Sequence, residues 1–309
     1  MNDGASIPTD YDDPLGKEMT REAADQTNPL RLMGILAHPD DESLGCGGAF
    51  ARYASEGVET YLVTATRGER GRYHGVPPGD ARHPGAEALS RIRAAELKAA
   101  AAILGIREIS LLDYPDGDLD RADPRQAIDR IAVHLRRIRP QAVLTFAPEG
   151  GYGHPDHIAI CQFASAAVVA AANPAHSGEA AALPPHAVSK LYQMAWPEAK
   201  VAAYQEAFKK LTSTVDGVER EAHPWPQWSI TTVIETRKYW PVVWRAVSCH
   251  ESQVGAYERL RNLAPEHHEA IWGWQHFYRA MSTVNGGRVR ETDLFEGLRE
   301  TDPGAGLAH

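Results

Sequence analysis

The chain of 309 residues carries 32 lysine and arginine residues against 41 aspartate and glutamate residues, and its formal net charge at pH 7 is -9. This negative charge argues against non-specific nucleic-acid binding, which needs a cationic surface. The three cysteines, Cys46, Cys161 and Cys249, are far apart in sequence, which argues against a disulfide framework and a cysteine zinc site and favours a reducing, cytoplasmic location.

The two ends of the chain differ in composition from its middle. Residues 1–28 are polar and acidic, which predicts a flexible N-terminal arm rather than a signal peptide. Residues 301–309 predict a loose tail. No apolar stretch reaches the roughly 20 residues that span a bilayer, so we expect no membrane partner. The composition leaves a homo-oligomer open.

Strand and helix patterns alternate along the first two thirds of the chain. Apolar runs predict strands at residues 30–36, 59–65, 108–112, 141–146 and 190–194. Helices are predicted between them at residues 44–55, 90–104 (capped by Ser90), 124–138 and 156–172. Alternating units of this length predict an α/β fold in residues 29–196, with a Rossmann-like, mainly parallel sheet and helices on both faces.

The pattern changes over residues 197–300, which predict a C-terminal elaboration that shapes the cleft. Helices are predicted at residues 201–211, 239–250 and 266–281, and a strand at residues 228–235. This part is rich in tryptophan and tyrosine, and most of these aromatic side chains are expected in the core. Residues 67–85 are rich in glycine, proline and charge, and their length predicts a functional lid rather than a simple connection.

Two short polar segments each follow a predicted strand and precede a predicted helix. They are residues 37–42, with the sequence AHPDDE, and residues 151–157, with the sequence GYGHPDH. The carboxyl ends of the strands in an open α/β sheet border the crevice where such folds bind ligands. We therefore expect the two segments to form one site.

The residue types in these segments indicate a metal centre. His38 and Asp41 lie three residues apart at a strand-to-helix turn, so both can face one ion. His157 is the best third ligand, because it begins the helix after a neighbouring strand. Two histidines and one carboxylate leave an open position for water, as in catalytic zinc sites. We predict zinc, with iron(II) or another divalent ion as the alternative.

Three polar residues remain beside these ligands for chemistry. Asp40 is predicted to act as general base on the attacking water. His154, as an imidazolium, would stabilise an oxyanion and protonate a leaving amine. Asp156 would orient His154 and raise its pKa, as a carboxylate partner does.

A structural interpretation of each segment stands beside the functional one. Proline can fix a turn and aspartate can cap a helix without any ligand. Two such segments after two strands favour the metal site. The sequence lacks a Gly-x-Ser-x-Gly nucleophile elbow and a Gly-x-Gly-x-x-Gly fingerprint, which argues against a serine hydrolase and a nicotinamide oxidoreductase.

These motifs resemble those of the LmbE-like, or PIG-L, de-N-acetylases, zinc hydrolases that remove acetyl groups from N-acetylglucosamine-type sugars. The resemblance rests on residues 37–42, on residues 64–71 (TATRGERG) and on residues 150–157 (GGYGHPDH). Residues 249–253 (CHESQ) match more weakly. The resemblance covers residues 30–172, and the GGYGHPDH run is most similar to the mycothiol-pathway deacetylases and amidases.

The resemblance implies the same ligands and the same general base, and it adds three residues. Tyr152 is similar to a tyrosine that helps to polarise the substrate carbonyl. Arg93 resembles an arginine that contacts the substrate. Asp116 resembles a carboxylate that contacts sugar hydroxyls.

The sequence thus predicts a zinc-dependent N-deacetylase that hydrolyses the acetamide of a small glycan or glycoconjugate and releases acetate. One alternative is an amidase that cleaves a larger amide, such as a mycothiol-type thiol conjugate. Another alternative is a non-catalytic glycan-binding homologue. Its expected sign is a damaged metal or base position, and the sequence shows neither.

Overall fold

A computed structural model of the protein describes residues 29–208, 212–215, 217–253, 260–285 and 289–299. The predicted arm at residues 1–28 and the predicted tail at residues 301–309 lie outside these residues.

The strands are β1 Arg31–Leu36, β2 Glu59–Thr66, β3 Ile106–Tyr114, β4 Ala142–Thr145, β5 Lys190–Met194, β6 Thr212–Val215, β7 Val218–Glu221, β8 Thr232–Glu235 and β9 Trp274–Ser282. The helices are α1 Asp41–Ser55, α2 Ala86–Leu104, α3 Pro124–Ile138, α4 Gly150–Gly153, α5 Pro155–Ala172, α6 Glu198–Phe208, α7 Trp240–Val247 and α8 Pro265–Trp272.

Seven of these strands form one sheet in the order β3-β2-β1-β4-β5-β9-β8, and β6 pairs with β7 in a separate hairpin. Strands β1 to β5 run parallel to one another, whereas β9 runs antiparallel to both β5 and β8. The chain winds outward from β1 to β3 and then crosses to β4 on the other side of β1. This switch point leaves a crevice at the carboxyl ends of β1 and β4, where open α/β sheets bind ligands.

Right-handed crossovers explain why helices cover both faces of the sheet. Helices α1 and α2 connect strands while the chain moves in one direction along the sheet, whereas α3 and α5 connect strands in the opposite direction. Accordingly, α1 packs against α2 and α7, while α3 packs against α5. The predicted α/β fold with a Rossmann-like, mainly parallel sheet is confirmed.

The central strands are buried on both faces. Every residue of β4 and β5 is buried, and so is every residue of β1 after Arg31. Strands covered on both sides have continuous apolar runs rather than alternating patterns. This explains why the parallel strands could be recognised from the sequence.

Local sequence signals place several elements correctly. Helix α3 and strand β5 have the predicted bounds residue for residue. Asp123 caps α3 by accepting a hydrogen bond from the Arg125 N–H at 2.9 Å. Gly105 ends α2 with a φ of 76°, as expected for a helix C-cap. The predicted N-cap at Ser90 is wrong, because α2 begins one turn earlier at Ala86.

The C-terminal third departs most from the prediction. The helix predicted over residues 266–281 ends at Trp272, and the chain continues as strand β9. Strand β9 lies between β5 and β8 and pairs with both, so long-range pairing overrides the helix-like local pattern. The β6–β7 hairpin is also absent from the sequence prediction.

Helix α5 has the length and mean hydropathy of a membrane span. The prediction that no apolar stretch is long enough to span a bilayer is therefore wrong for this helix. Its 18 residues have a mean hydropathy of 1.3, and 56% of them are buried inside the protein. Ile160 and Ala164 belong to the hydrophobic core, and His157 lies in the first turn. We therefore assign α5 to the core, a role that requires the same apolar composition.

A buried charged cluster joins the C-terminal strands to the parallel sheet. The Lys190 ammonium lies 2.7 Å from Glu291 Oε1, and both side chains are almost fully buried. Glu291 also accepts hydrogen bonds from Tyr192 at 2.9 Å and Thr232 at 2.8 Å, and it pairs with Arg279 at 2.7 Å. Although burial favours the neutral acid, hydrogen bonds from Lys190 and its other partners lower the pKa of Glu291 to about 2.

Glu291→Ala is expected to destabilise the protein by about 3–5 kcal/mol, because it leaves the buried charges facing it uncompensated. Urea unfolding followed by circular dichroism measures this loss. Glu87→Ala, which breaks the exposed Arg91–Glu87 pair, is the control and should leave the free energy of unfolding close to that of the unmodified protein. A loss below about 1 kcal/mol for Glu291→Ala would contradict the assigned role of the cluster.

Candidate active site

The two predicted segments meet at the switch point between β1 and β4. His38 follows β1, and Asp41 begins helix α1. His154 caps helix α5, and His157 lies in its first turn. The rings of His38 and His157, 119 residues apart in sequence, have centroids 5.1 Å apart. The structure thus brings together the residues that the sequence assigned to one site.

Hydrogen bonds determine which ring nitrogen of each histidine carries the proton. His38 Nε2 lies 3.1 Å from Asp116 Oδ1 and 3.0 Å from Asp156 Oδ2, so this nitrogen is protonated. His157 Nδ1 donates to the Gly150 carbonyl oxygen at 3.2 Å. The remaining nitrogens, His38 Nδ1 and His157 Nε2, face each other at 3.2 Å. Two lone pairs at this distance repel unless a proton or a metal ion lies between them, and outer acceptors of this kind are typical of metal-binding histidines.

Asp41 supplies a carboxylate to the same point. Its Oδ1 lies 3.5 Å from His157 Nε2, and its Oδ2 lies 3.6 Å from His38 Nδ1. The two distances end on different oxygens of one carboxylate, so the group as a whole lies beside both ring nitrogens. Burial raises the pKa of Asp41 to about 7, and a neighbouring cation would favour its ionised form. Two imidazole nitrogens and a carboxylate are donors that suit a divalent ion such as zinc.

Among the described residues, the sets whose three donor atoms all lie within 4.8 Å of one another are His38, His154 and His157, and His38, Asp116 and Asp156. In the second group, the proton on His38 Nε2 links the ring to both carboxylates, which makes them outer partners of a ligand. In the first group, His154 stacks on His157 with centroids 4.7 Å apart. We favour Asp41 as third ligand, because its carboxylate adds negative charge beside the two lone pairs and leaves His154 available for a substrate.

Asp40 is held in an unusual backbone conformation beside this metal-binding point. Its φ of 107° lies in the left-handed region, which costs about 1–2 kcal/mol for a residue other than glycine. Its N–H donates to Glu42 Oε2 at 2.9 Å, and its Oδ2 accepts from Arg93 Nη2 at 3.1 Å. A strained residue held by several partners is typical of functional sites.

The structure gives Arg93 a different position from the predicted contact with substrate. Its side chain is 4% exposed. Nη1 donates to the Gly68 carbonyl oxygen at 2.9 Å, and Nη2 contacts both the Pro39 carbonyl oxygen and the Asp40 carboxylate. Gly68 has a φ of 64°, and a Cβ there would overlap the guanidinium, which explains the glycine in the TATRGERG segment. Arg93 therefore positions Asp40.

Asp116 and Asp156 have a shared partner that the sequence did not predict. The resemblance assigned Asp116 to sugar hydroxyls, and the sequence assigned Asp156 to His154, yet both carboxylates bind His38 Nε2. Asp156 is fully buried and accepts two further backbone N–H groups from the loop after β3, at 2.7 and 3.0 Å. Burial opposes a charged ring, but the hydrogen bonds that His38 donates to these two carboxylates raise its pKa above the ordinary value of histidine.

His154 and Tyr152 border the centre on the side of the β6–β7 hairpin. His154 Nδ1 accepts the Asp156 N–H at 3.2 Å, so the neutral ring presents Nε2–H as a donor. Burial and the nearby His38 lower the pKa of His154 to about 4, opposite to the predicted rise. The Tyr152 ring centroid lies 5.3 Å from that of His157 and 6.1 Å from that of His154. Two hydrogen-bond donors therefore lie next to the predicted ligands.

A cavity of about 560 Å³ opens beside Tyr152 and His154. Its volume is within the range of about 300–1,000 Å³ that is usual for small-molecule sites. Ser213 in β6 donates to the Tyr152 carbonyl oxygen at 3.0 Å, which joins the hairpin to the second segment. The cavity is lined by Gly117, Asp120, Arg121, Tyr152, His154, Pro155, Thr212, Ser213, Thr214 and Val215.

Two parts of the site are absent from the sequence prediction. No local signal marks the β6–β7 hairpin, because its strands are short and largely exposed. The other missing part is a contact between His250 and Glu42 at 2.8 Å, across 208 residues of sequence. His250 lies in the CHESQ segment, whose weaker match was the one available signal.

Comparison with known proteins gives a family match and a full-length relative. Residues 33–168 match the sequence profile of the family described as PIG-L: GlcNAc-PI de-N-acetylase. A 1D-myo-inositol 2-acetamido-2-deoxy-alpha-D-glucopyranoside deacetylase from Kineococcus radiotolerans is 34% identical over 346 aligned positions. That alignment covers 96% of this chain and 92% of the relative.

Solved structures of similar fold include a conserved protein and a hydratase. The conserved protein TT1542 from Thermus thermophilus has a TM-score of 0.58 at 26% identity, and the match covers 83% of this chain and 97% of that one. GalB, the 4-carboxy-2-hydroxymuconate hydratase from Pseudomonas putida KT2440, has a TM-score of 0.62 at 19% identity, with 84% and 99% covered. The likeness to GalB concerns the fold alone, and a fold by itself does not select a reaction.

Proposed function

The chain belongs to the PIG-L family of GlcNAc-PI de-N-acetylases, and on this premise we propose that it is a zinc-dependent enzyme that removes acetate from an N-acetylglucosamine unit of a small glycoconjugate. One observation carries the proposal. His38 Nδ1 lies 3.2 Å from His157 Nε2, and the Asp41 carboxylate lies beside both nitrogens, with Oδ1 3.5 Å from His157 Nε2 and Oδ2 3.6 Å from His38 Nδ1. Such a donor set is typical of a catalytic metal site with an open position.

An N-acetylglucosamine unit linked to inositol is the first substrate to test. The relative from Kineococcus radiotolerans is named for such a compound, and the two chains align along 96% of this one. The polar lining of the neighbouring cavity supports the same class. Asp120, Arg121 and the hydroxyls of β6 offer donors and acceptors for a polyol.

His38, Asp41 and His157 would hold the metal. Zinc, when bound, supplies a Lewis acid for the acetamide carbonyl and lowers the pKa of a coordinated water to about 7. Asp116 and Asp156 hold the proton of His38 on Nε2, and the Gly150 carbonyl holds that of His157 on Nδ1. Both ligand nitrogens therefore keep their lone pairs for the metal.

Asp40 takes a proton from the water that attacks the acetamide carbonyl carbon. As the new C–O bond forms, the carbonyl oxygen gains negative charge, which His154 Nε2–H and the Tyr152 hydroxyl stabilise by hydrogen bonds. When the C–N bond breaks, the proton on Asp40 passes to the leaving nitrogen. The products are acetate and a free amine, and this route needs no second proton donor.

The experiment that tests the proposal is acetate release by metal-stripped protein, with and without added zinc. The substrates are N-acetylglucosamine, diacetylchitobiose, inositol-linked N-acetylglucosamine and a thiol conjugate with a larger amide. We expect zinc-dependent release of acetate, fastest from the inositol-linked compound. Release from none of the acetamides by zinc-loaded protein would overturn the proposal, and release of a larger acid alone would favour an amidase.

A further inference from the structure

A buried acid–base pair connects the first site segment to the C-terminal third of the chain. His250 Nε2 lies 2.8 Å from Glu42 Oε1, and both side chains are fully buried. Glu42 lies in the first turn of α1, whereas His250 follows α7. Because a buried ion pair gains little net stability over apolar side chains of similar volume, its presence points to a role other than stability.

The pair continues directly to Asp40. The two oxygens of the Glu42 carboxylate have different partners. Oε1 faces His250, and Oε2 accepts the Asp40 N–H at 2.9 Å. Asp40 has a left-handed φ of 107°, a conformation that persists in a non-glycine residue only where the surroundings impose it. Glu42 is therefore one of the contacts that impose it, and Glu42 is held in turn by His250 and by the Ser43 hydroxyl, which donates to Oε1 at 2.5 Å.

The turn that follows His250 is itself anchored to two other parts of the site. The Ser252 N–H and Oγ donate to the Glu96 carboxylate at 2.6 and 2.7 Å. Glu96 lies on α2, one turn after the arginine that contacts Asp40. Gln253 Nε2 donates to the Arg72 carbonyl oxygen in the loop of residues 67–85 at 2.8 Å. This anchoring restrains the backbone next to His250.

We propose that His250 is a positioning residue for the reaction, which holds Asp40 in its left-handed conformation through Glu42. The inference rests on the proposed function, because it takes Asp40 as the general base. The cavity beside the centre is lined by Tyr152 and His154 but not by His250. His250 therefore acts through Glu42 rather than on a substrate. Loss of His250 leaves Oε1 of the buried Glu42 carboxylate with the Ser43 hydroxyl but without its imidazole partner, and the acceptor of the Asp40 N–H then shifts.

The first test compares the kinetics of three zinc-loaded variants with the unmodified protein. His250→Ala is expected to lower kcat by about 100-fold with little change in KM, the effect of misplacing a reacting group by about 1 Å. His250→Gln should recover part of kcat, because its amide N–H can donate to Glu42.

His268→Ala is the control, because His268 is also buried in this third of the chain but stacks on Trp240. It should change kcat by less than about 3-fold, as expected for a site away from the chemistry.

The second test measures positioning without turnover. Hydrogen–deuterium exchange of peptides that cover residues 37–45 should become faster in His250→Ala and stay unchanged in His268→Ala, because Glu42 protects the Asp40 N–H. Unchanged exchange, a kcat close to that of the unmodified protein, or loss of zinc from His250→Ala would each overturn the inference. If the unmodified protein releases no acetate, the proposed function fails, and the exchange result still decides whether His250 holds Asp40.

Discussion

Asp40→Asn is expected to bind zinc with the same stoichiometry as the unmodified protein and to lower kcat by about 10²- to 10⁴-fold, the usual contribution of a general base. Asparagine keeps the size of the side chain but cannot take a proton from water. His38, Asp41 and His157 are unchanged, so the metal site stays complete. Elemental analysis of the purified variant and its rate of acetate release measure the two effects.

Asp129→Asn is the matched control for this substitution. Asp129 resembles Asp40 in that its carboxylate accepts hydrogen bonds from its surroundings, here from His176 at 3.0 Å and the Glu179 N–H at 2.7 Å. It lies on helix α3, away from β1, and should leave kcat within about 2-fold of the unmodified value. Equal activity of Asp40→Asn and the unmodified protein would refute Asp40 as the base.

His38→Ala is expected to abolish both zinc binding and turnover. Loss of even an outer partner of a metal ligand lowers metal affinity by about 10- to 100-fold, so loss of the ligand itself should exceed about 100-fold. The substitution also leaves Asp116 and Asp156 facing a space without the ring that they share. We therefore expect a lower thermal midpoint as well, because like charges without a partner destabilise each other.

His154→Ala distinguishes between the two sets of ligands that include His157. With Asp41 as third ligand, this variant should keep stoichiometric zinc while turnover falls, because a stabilising donor is lost. Loss of zinc from His154→Ala would favour the set of His38, His154 and His157 instead. Stoichiometric zinc in His38→Ala would refute both sets. Zinc titration with a competing chelator measures all three affinities.

The fold could be predicted where local sequence and burial agree. Strand β5 and helix α3 have the predicted bounds, because a fully buried strand is a continuous apolar run and a capped helix carries its own start signal. Strand β9 could not be predicted in this way. Its residues follow helix α8 after the single glycine Gly273, and they become a strand because β5 and β8 offer backbone partners on both sides.

By itself, the sequence determined which residue types stand at the carboxyl ends of β1 and β4, because each motif is contiguous with the strand that carries it. From that position His38, Asp41 and His157 follow as neighbours. Only the tertiary structure decided what surrounds them. The carboxylates of Asp116 and Asp156 both bind His38, since separations between distant residues depend on packing.

The same holds for the partners of Asp40. Arg93 reaches Asp40 across 53 residues of sequence, and His250 reaches Glu42, the acceptor of the Asp40 N–H, across 208. No local propensity encodes such contacts, because they form only when α2 and the segment after α7 pack against α1. The sequence therefore determined the chemistry that is available at the site, and the tertiary structure decided which group each side chain serves.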